Sequence, residues 1–251
     1  MVVNPGFENG SETNEDIVAG FVGSAEYFRN HYGNASDWFA SAYQALLGVP
    51  AGQIGTAPTF LPALAGSLTH SSEYYSGIVT AAYQRYLGRT PDSAGLASWV
   101  AQMQKGLTDE HLEAAFIGSN EFIKNHGGLG SGWITAMYQS LLGRTPSQAE
   151  INQWLQALAN GVSTTSIAYQ FAASAERESQ RVTADYQQYL GRAPTAAEVA
   201  GWVNRFESGT ATNEDVVAGF VGSVEYYQKH KSDSQDWWNQ AVQALFGASG
   251  F

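Results

Sequence analysis

Ile78-Val79-Thr80-Ala81-Ala82-Tyr83-Gln84-Arg85-Tyr86-Leu87-Gly88-Arg89-Thr90-Pro91 decides the fold, because the chain repeats it. It returns as Trp133-Ile134-Thr135-Ala136-Met137-Tyr138-Gln139-Ser140-Leu141-Leu142-Gly143-Arg144-Thr145-Pro146, and again from Arg181 to Pro194. Partial copies occupy Trp38 to Gly48 and Trp237 to Gly247. A period of roughly 50 residues marks tandem copies of one supersecondary unit, and most repeated residues in such arrays build the scaffold.

Within the phrase, Val79, Tyr83, Tyr86 and Leu87 recur at helical spacing, as do Ile134, Tyr138, Leu141, Leu142 and Val182, Tyr186, Tyr189, Leu190. This apolar stripe predicts a first helix, A. Gly88, Gly143 and Gly191 follow where a left-handed residue closes a helix, and a Pro three residues on prevents continuation. A second helix, B, opens at Asp92, Ser147 and Thr195 as N-caps; Glu150 and Glu198 complete capping boxes. Its core stripe is Leu96, Trp99, Val100, Met103, with copies Ile151, Trp154, Leu155, Leu158 and Val199, Trp202, Val203, Phe206. A third helix, C, opens at Thr108, Ser163 and Thr212 and carries the pairs Leu112/Phe116, Ile167/Phe171 and Val216/Phe220. Ser-x-Glu closes each unit at Ser119, Ser174 and Ser223; it either continues helix C or caps a fourth short helix.

The expected fold is all-α: tandem three-helix repeats of about 50 residues, packed as a helical array or globule. The expected units are 77–126, 133–178 and 181–230, with a degenerate unit 37–75 and partial ones at 1–33 and 236–251. In unit 37–75, Val49-Pro50 to Pro58 stands in place of helix B, leaving drift, a ligand groove or a domain boundary as readings. Glu8–Phe28 matches Glu207–Tyr227 at 15 of 21 positions, so the chain opens inside a unit, and it stops after a lone helix A. A piece of a longer array is the preferred explanation; partial units completing each other is the other.

Composition narrows the function classes. Net charge is -11 with 12 Lys+Arg, which argues against nucleic acid and anionic membranes as partners. There is no Cys, hence no disulfide, thiolate metal site or Cys nucleophile. Charged residues are 14%, below the roughly 25% usual for soluble domains, and amides, hydroxyls and aromatics take their place. Such a surface suits an extracellular protein. No apolar run has the length of a membrane span, and Met1 to Pro5 lacks the shape of a signal peptide.

Candidate site residues are few. Arg89, Arg144 and Arg192 recur in Leu-Gly-Arg-x-Pro, and Glu121, Glu176 and Glu225 recur in Ser-x-Glu of the same units. An Arg–Glu bond between helices, or Arg on the carbonyls ending helix A, is the structural reading; anion binding is the functional one. His31, His126 and His230 share a column five residues after an acid, off-face for metal binding, and Arg181 takes that column in a fourth copy. A cation there suits a helix C-terminus. Asp92 to Gly95 and Asp233 to Asp236 offer oxygens to calcium, but neither matches a recognised loop, so no cofactor is expected. Trp38, Trp133 and Trp237 open helix A, and with Trp238 they form a candidate binding surface able to stack on sugar rings; burial between units is the competing reading. No phosphate loop, nucleophile elbow or zinc-protease motif occurs, so no enzyme is expected.

Tyr-Gln-x-x-Leu-Gly-Arg-x-Pro at Tyr83–Pro91, Tyr138–Pro146 and Tyr186–Pro194, followed by a Trp-bearing helix and Ser-x-Glu, resembles the bacterial repeat catalogued as domain of unknown function 4214. That family resembles phycobilisome linker domains weakly. Its members are common in large secreted or surface proteins, often beside calcium-binding hemolysin-type repeats and exported by type I secretion. The resemblance implies an extracellular, non-catalytic module with no catalytic residues to transfer. The expected function is therefore protein–protein contact, with other proteins or copies of the chain, within a scaffold, S-layer or adhesin. Glycan binding through exposed aromatics is the alternative.

Overall fold

The computed structural model describes residues 65–66, 68–229, 240–241 and 243–245. Among them every regular element is helical. Helix α1 is Ser72–Ala82, continued by a π-helical turn Tyr83–Leu87. It is followed by α2 (Ser93–Met103), α3 (Asp109–Ile117), α4 (Asn120–Asn125), α5 (Ser131–Leu142), α6 (Gln148–Ala159) and α7 (Thr164–Ala172). Then come α8 (Ala175–Asp185) with its π turn Tyr186–Leu190, α9 (Ala196–Glu207), α10 (Asn213–Val221) and α11 (Val224–Lys229). Units 1–33 and 236–251, and the loop 49–58, fall largely or wholly outside the described residues.

Helix ends follow the sequence signals. Gly88, Gly143 and Gly191 have φ of 67°, 68° and 60°, the left-handed conformation that suits a residue without Cβ. Ser147 and Thr195 make full capping boxes, and Asp92 accepts from the Gly95 amide at 2.8 Å. Thr108 differs. Its hydroxyl meets His111 Nδ1 at 3.0 Å and makes no bond to a backbone amide.

Ser-x-Glu opens a separate short helix and does not prolong helix C. Ser119 Oγ donates to the Phe116 carbonyl at 2.7 Å and accepts from the Phe122 amide at 3.1 Å. Ser71, Ser174 and Ser223 make the same pair of bonds. One hydroxyl thus satisfies an orphan carbonyl behind it and an orphan amide ahead of it, which explains why this position is Ser each time. After Ser71 and Ser174 the short helix runs directly into helix A, giving α1 and α8. After Ser119 the stretch His126 to Gly130 separates α4 from α5. Both fused helices end in a π turn and α5 does not.

Internal contacts divide the chain into two compact bodies. The first is Tyr75–Gln188 with Arg192–Asn213. The second, in its described part, holds residues up to Tyr74, Tyr189–Gly191 and those from Glu214 onward, with Tyr189 stacked on Phe220 at 6.2 Å.

In the first body α3 and α7, the C helices of successive repeats, make the most extensive helix pair. Gly118 permits this approach, since a Cβ there would lie 2.7 Å from Thr165 N. The repeats that hold Tyr83 and Tyr138 each have an aromatic core of Tyr, Trp and Phe. Tyr83 meets Phe116 edge-on at 4.8 Å with Trp99 behind, and Tyr138 meets Phe171 at 4.7 Å with Trp154 beside it. These pairs add to the burial of large apolar surface.

Candidate functional site: clasps and a buried ion cluster

The repeated arginines are engaged inside the molecule. Arg89 lies over the Tyr83 ring at 4.8 Å and forks onto Glu121 at 2.6 and 2.9 Å. Arg144 lies over Tyr138 at the same distance and bonds Glu176 at 3.0 and 3.3 Å, with Glu150 at 3.0 Å. Arg192 lies over Tyr186, again at 4.8 Å, and bonds Glu198 at 2.8 and 3.1 Å. Planar guanidinium suits both the aromatic face and the bidentate carboxylate. Hydrogen bonds from Arg144 and from Ser147 hold the Glu150 carboxyl down to about 2, and Arg192 and Thr195 do the same for Glu198. Glu225 sits in the first turn of α11. The clasp ties the end of helix A to the start of the short helix in the two repeats with Glu121 and Glu176.

The tryptophan surface requires a correction. Trp133 is 0% exposed, and its Nε1 donates to the Ile117 carbonyl at 2.8 Å. The indole fills the space under the end of α3 and answers an orphan carbonyl there, so it presents nothing to a ligand. Trp38, Trp237 and Trp238 lie outside the described residues, as do His31 and His230. His126 Nδ1 donates to the Phe122 carbonyl at 2.8 Å, a helix-end bond. Among the described residues no group of three or more His, Asp or Glu is placed to hold a metal ion.

The most unusual chemistry lies elsewhere in the first body. Glu113 Oε1 accepts from Tyr86 Oη at 2.6 Å and from Arg177 Nη2 at 2.7 Å, and its Oε2 accepts from Arg181 Nη2 at 2.5 Å. Arg181 Nη1 also donates to Glu110 and Glu178, both at 2.7 Å. Asn213 Nδ2 donates to Glu110. Three carboxyls and two guanidiniums thus meet with little water. Glu110 pairs with the later arginine and Glu113 with both, so α3 and α8 run in opposite directions along this seam.

Burial acts to raise the Glu113 carboxyl, but Arg181 and Arg177, with the bonds from Arg177 and Tyr86, hold it below the usual carboxylate range. Glu178 is 2% exposed, and burial, with Glu110 and Glu113 nearby, pushes its carboxyl up to about 8 despite Arg181. Burial raises Asp185 to about 7. Glu178 therefore holds a proton near neutral pH, leaving two carboxylates against two guanidiniums. Burial and the Glu113 charge raise the Tyr86 phenol, which donates its proton in a bond and is unsuited to acid–base work near neutrality.

The sequence reading placed Arg181 at a helix C-terminus; it lies in the interior of α8 instead, because the short helix and helix A are fused there. The signal that identifies the cluster is a substitution within columns. Arg177 stands where the other copies have Phe122 and Tyr226, both buried, and Glu178 stands where they have Ile123 and Tyr227. Charged residues in an apolar column announce a buried polar network.

Beside the cluster, Ile78, Ala81, Ala82, Arg85, Tyr86, Asp109, Leu112 and Glu113 line a cavity of about 200 Å³. That is below the roughly 300–1,000 Å³ of ligand pockets. The Arg85 guanidinium donates to the Ser140 carbonyl at 2.7 Å, tying α1 to α5.

No curated protein and no solved structure matches the chain. A family model does, at residues 65–126, 113–181 and 177–230, about two thirds of the length. Three tandem copies with shared signature residues leave no ambiguity: the chain belongs to the family described as Domain of unknown function (DUF4214).

Proposed function

We propose that this chain is a non-catalytic helical repeat module of a secreted or cell-surface bacterial protein, acting through protein–protein contacts as part of a scaffold, S-layer or adhesin. The observation that supports it is the clasp. The side chains that define the repeat bind one another, Arg89 to Glu121 and Arg144 to Glu176, over Tyr83 and Tyr138. The repeated chemistry is thus satisfied within the chain, at exposed clasps, as in arrays whose unit is a structural brick. A low share of charged residues, with amides, hydroxyls and aromatics in their place, suits an extracellular setting. Among the described residues no helix is long and apolar enough to cross a membrane.

Light scattering across a concentration series, with calcium and with chelator, tests this reading. Concentration- or calcium-dependent assembly supports it. A strict monomer whose tryptophan fluorescence responds to oligosaccharides would transfer the weight to glycan binding.

A further inference from the structure

Charge along the α3–α8 seam does not balance. Arg181 bonds Glu110, Glu113 and Glu178, and Asp109 and Asp185 act on it through space. Arg177, on Glu113, is the second cation of the seam. Neutral donors add to it: Tyr86, with Arg85 over its ring, bonds Glu113, and Asn213 bonds Glu110. Three other helices pack against α8. Of these, α5 and α7 carry Tyr138 and Tyr169 and no charged residue. In α9, Arg205 and Glu207 are exposed, and Arg192 holds Glu198.

One carboxyl of the seam lacks what an ionised group needs. Glu178 is 2% exposed; its Oε1 accepts from Arg181, and its Oε2 is buried without a hydrogen-bond partner. A carboxylate oxygen held out of water with no donor is costly, whereas the acid form carries no charge to solvate. The seam therefore closes with Glu178 protonated, and with Glu110 and Glu113 against the two guanidiniums. Ionising Glu178 in place would set a third carboxylate on Arg181. Relief comes from water, which reaches Glu178 when α8 moves away from α3.

Arg177, Glu178 and Arg181 stand where the preceding copy along the chain has Phe122, Ile123 and Trp133. Apolar side chains at a joint carry nothing that titrates. Here the ties from α8 to α3 run from Arg177 and Arg181 to Glu110 and Glu113, so their strength depends on the charge beside them.

We propose that the α3–α8 seam is a proton-operated latch: α8 stays closed on α3 while Glu178 carries its proton, and lets go of α3 as the proton leaves. Burial pushes that carboxyl up to about 8, against an ordinary 4.5 once water reaches it. A group raised in this way stabilises the closed seam fully below about 4.5, and that stability is lost as pH rises toward 8. From pH 6 to pH 8 the open fraction of the seam should grow about fiftyfold. Asp185, raised to about 7, has the same sign and adds to the effect if the opening wets it.

Hydrogen exchange of the full chain, resolved by segment and corrected for the intrinsic rate, tests the latch between pH 6 and pH 8. Glu178→Gln removes the titrating group, and Glu121→Gln, at an exposed clasp, is the control. Wild type and control should lose about fiftyfold or more of their protection in α8, through an opening that leaves α5 and α6 protected. The loss in Glu178→Gln should be at least tenfold smaller. A wild-type loss in α8 below tenfold overturns the latch. So does a loss shared equally by α5 and α6, which is the pH dependence of global unfolding. A loss of undiminished size in Glu178→Gln overturns it too, since another group then titrates. If Glu178→Gln fails to fold, the segment profile of the wild type decides alone.

Discussion

Replacing Arg181 by Met should be among the most damaging surface-conserving changes this chain can suffer. The guanidinium bonds three carboxyls at 2.5–2.7 Å, and its side chain is 11% exposed. Met retains the apolar stem but leaves Glu110 and Glu113 ionised against Arg177 alone, and removes the one bond that Glu178 Oε1 receives. Breaking a buried ion pair from one side costs about 3–5 kcal/mol. The slight exposure of the cluster favours the lower end, about 3 kcal/mol. With a urea slope of about 2 kcal/mol per molar, the midpoint should fall by about 1.5 M. With Arg181 gone, burial acts on Glu113 with less opposing charge, so its carboxyl holds a proton more tightly folded than unfolded as pH falls. Stability so gained is present at low pH and lost as pH rises through the folded value, so the deficit should shrink from pH 8 to pH 5. Arg89→Met, at an exposed clasp, serves as the comparison and should leave the midpoint unresolved from wild type. Urea unfolding followed by tryptophan fluorescence and circular dichroism reads both variants. A loss below about 1 kcal/mol in the Arg181 variant, or a loss independent of pH, would refute the account of the cluster.

Glu178→Gln should flatten the pH dependence of stability. The folded carboxyl keeps its proton up to about 8, whereas the unfolded one loses it near 4.5, so wild-type stability falls as pH rises across that window. Parallel wild-type and variant curves of Tm against pH between 5 and 8 would count against the assignment. Asp185, raised to about 7, contributes the same sign and persists in the variant. Glu113 has the opposite sign: its lowered value contributes stability above the ordinary carboxylate range that disappears on acidification, so Glu113→Gln should reduce the loss on going from pH 5 to pH 3. Gly118→Ala places a methyl 2.7 Å from Thr165 N and Oγ1, and separation of α3 from α7 should cost about 1–3 kcal/mol by urea titration. Trp133→Phe keeps an aromatic in the core but orphans the Ile117 carbonyl, with an expected loss of about 1–2 kcal/mol; an unchanged midpoint would mean water replaces the indole.

Much of the architecture is legible because local rules and the repeat agree. The glycine after each helix A, the capping boxes at Ser147 and Thr195 and the Tyr–Trp–Phe columns each follow from a short window that recurs. The Arg–Glu clasp also follows from co-occurrence within units, although the tyrosine beneath each arginine does not, since Tyr83 reads simply as core. Three features resisted reading for a common reason: they depend on what lies opposite. Trp133 opens helix A where exposure is plausible, and the end of α3 covers it. Arg181 and Glu110 are distant in sequence and look like surface charges until α8 crosses α3. Whether Ser119 caps a helix or sits within one depends on a bond back to Phe116 that a pattern of apolar residues does not contain.

In a repeat array the consensus specifies the brick, and the departures distinguish one brick from the next. Here the departures are chemically coherent. The copy with Arg177, Glu178 and Arg181 in apolar columns is met by Glu110 and Glu113 of an earlier repeat, while the corresponding C-helix position in the middle repeat has Ala168 in place of Glu113. A polar seam in place of an apolar one adds little net stability, because desolvation offsets most of the Coulomb gain. It does penalise wrong neighbours: a repeat lacking Glu110 and Glu113 at that place would strand two guanidiniums. Identical bricks can slip by one period and remain apolar against apolar, a hazard of tandem sequences. The cluster makes that slip costly.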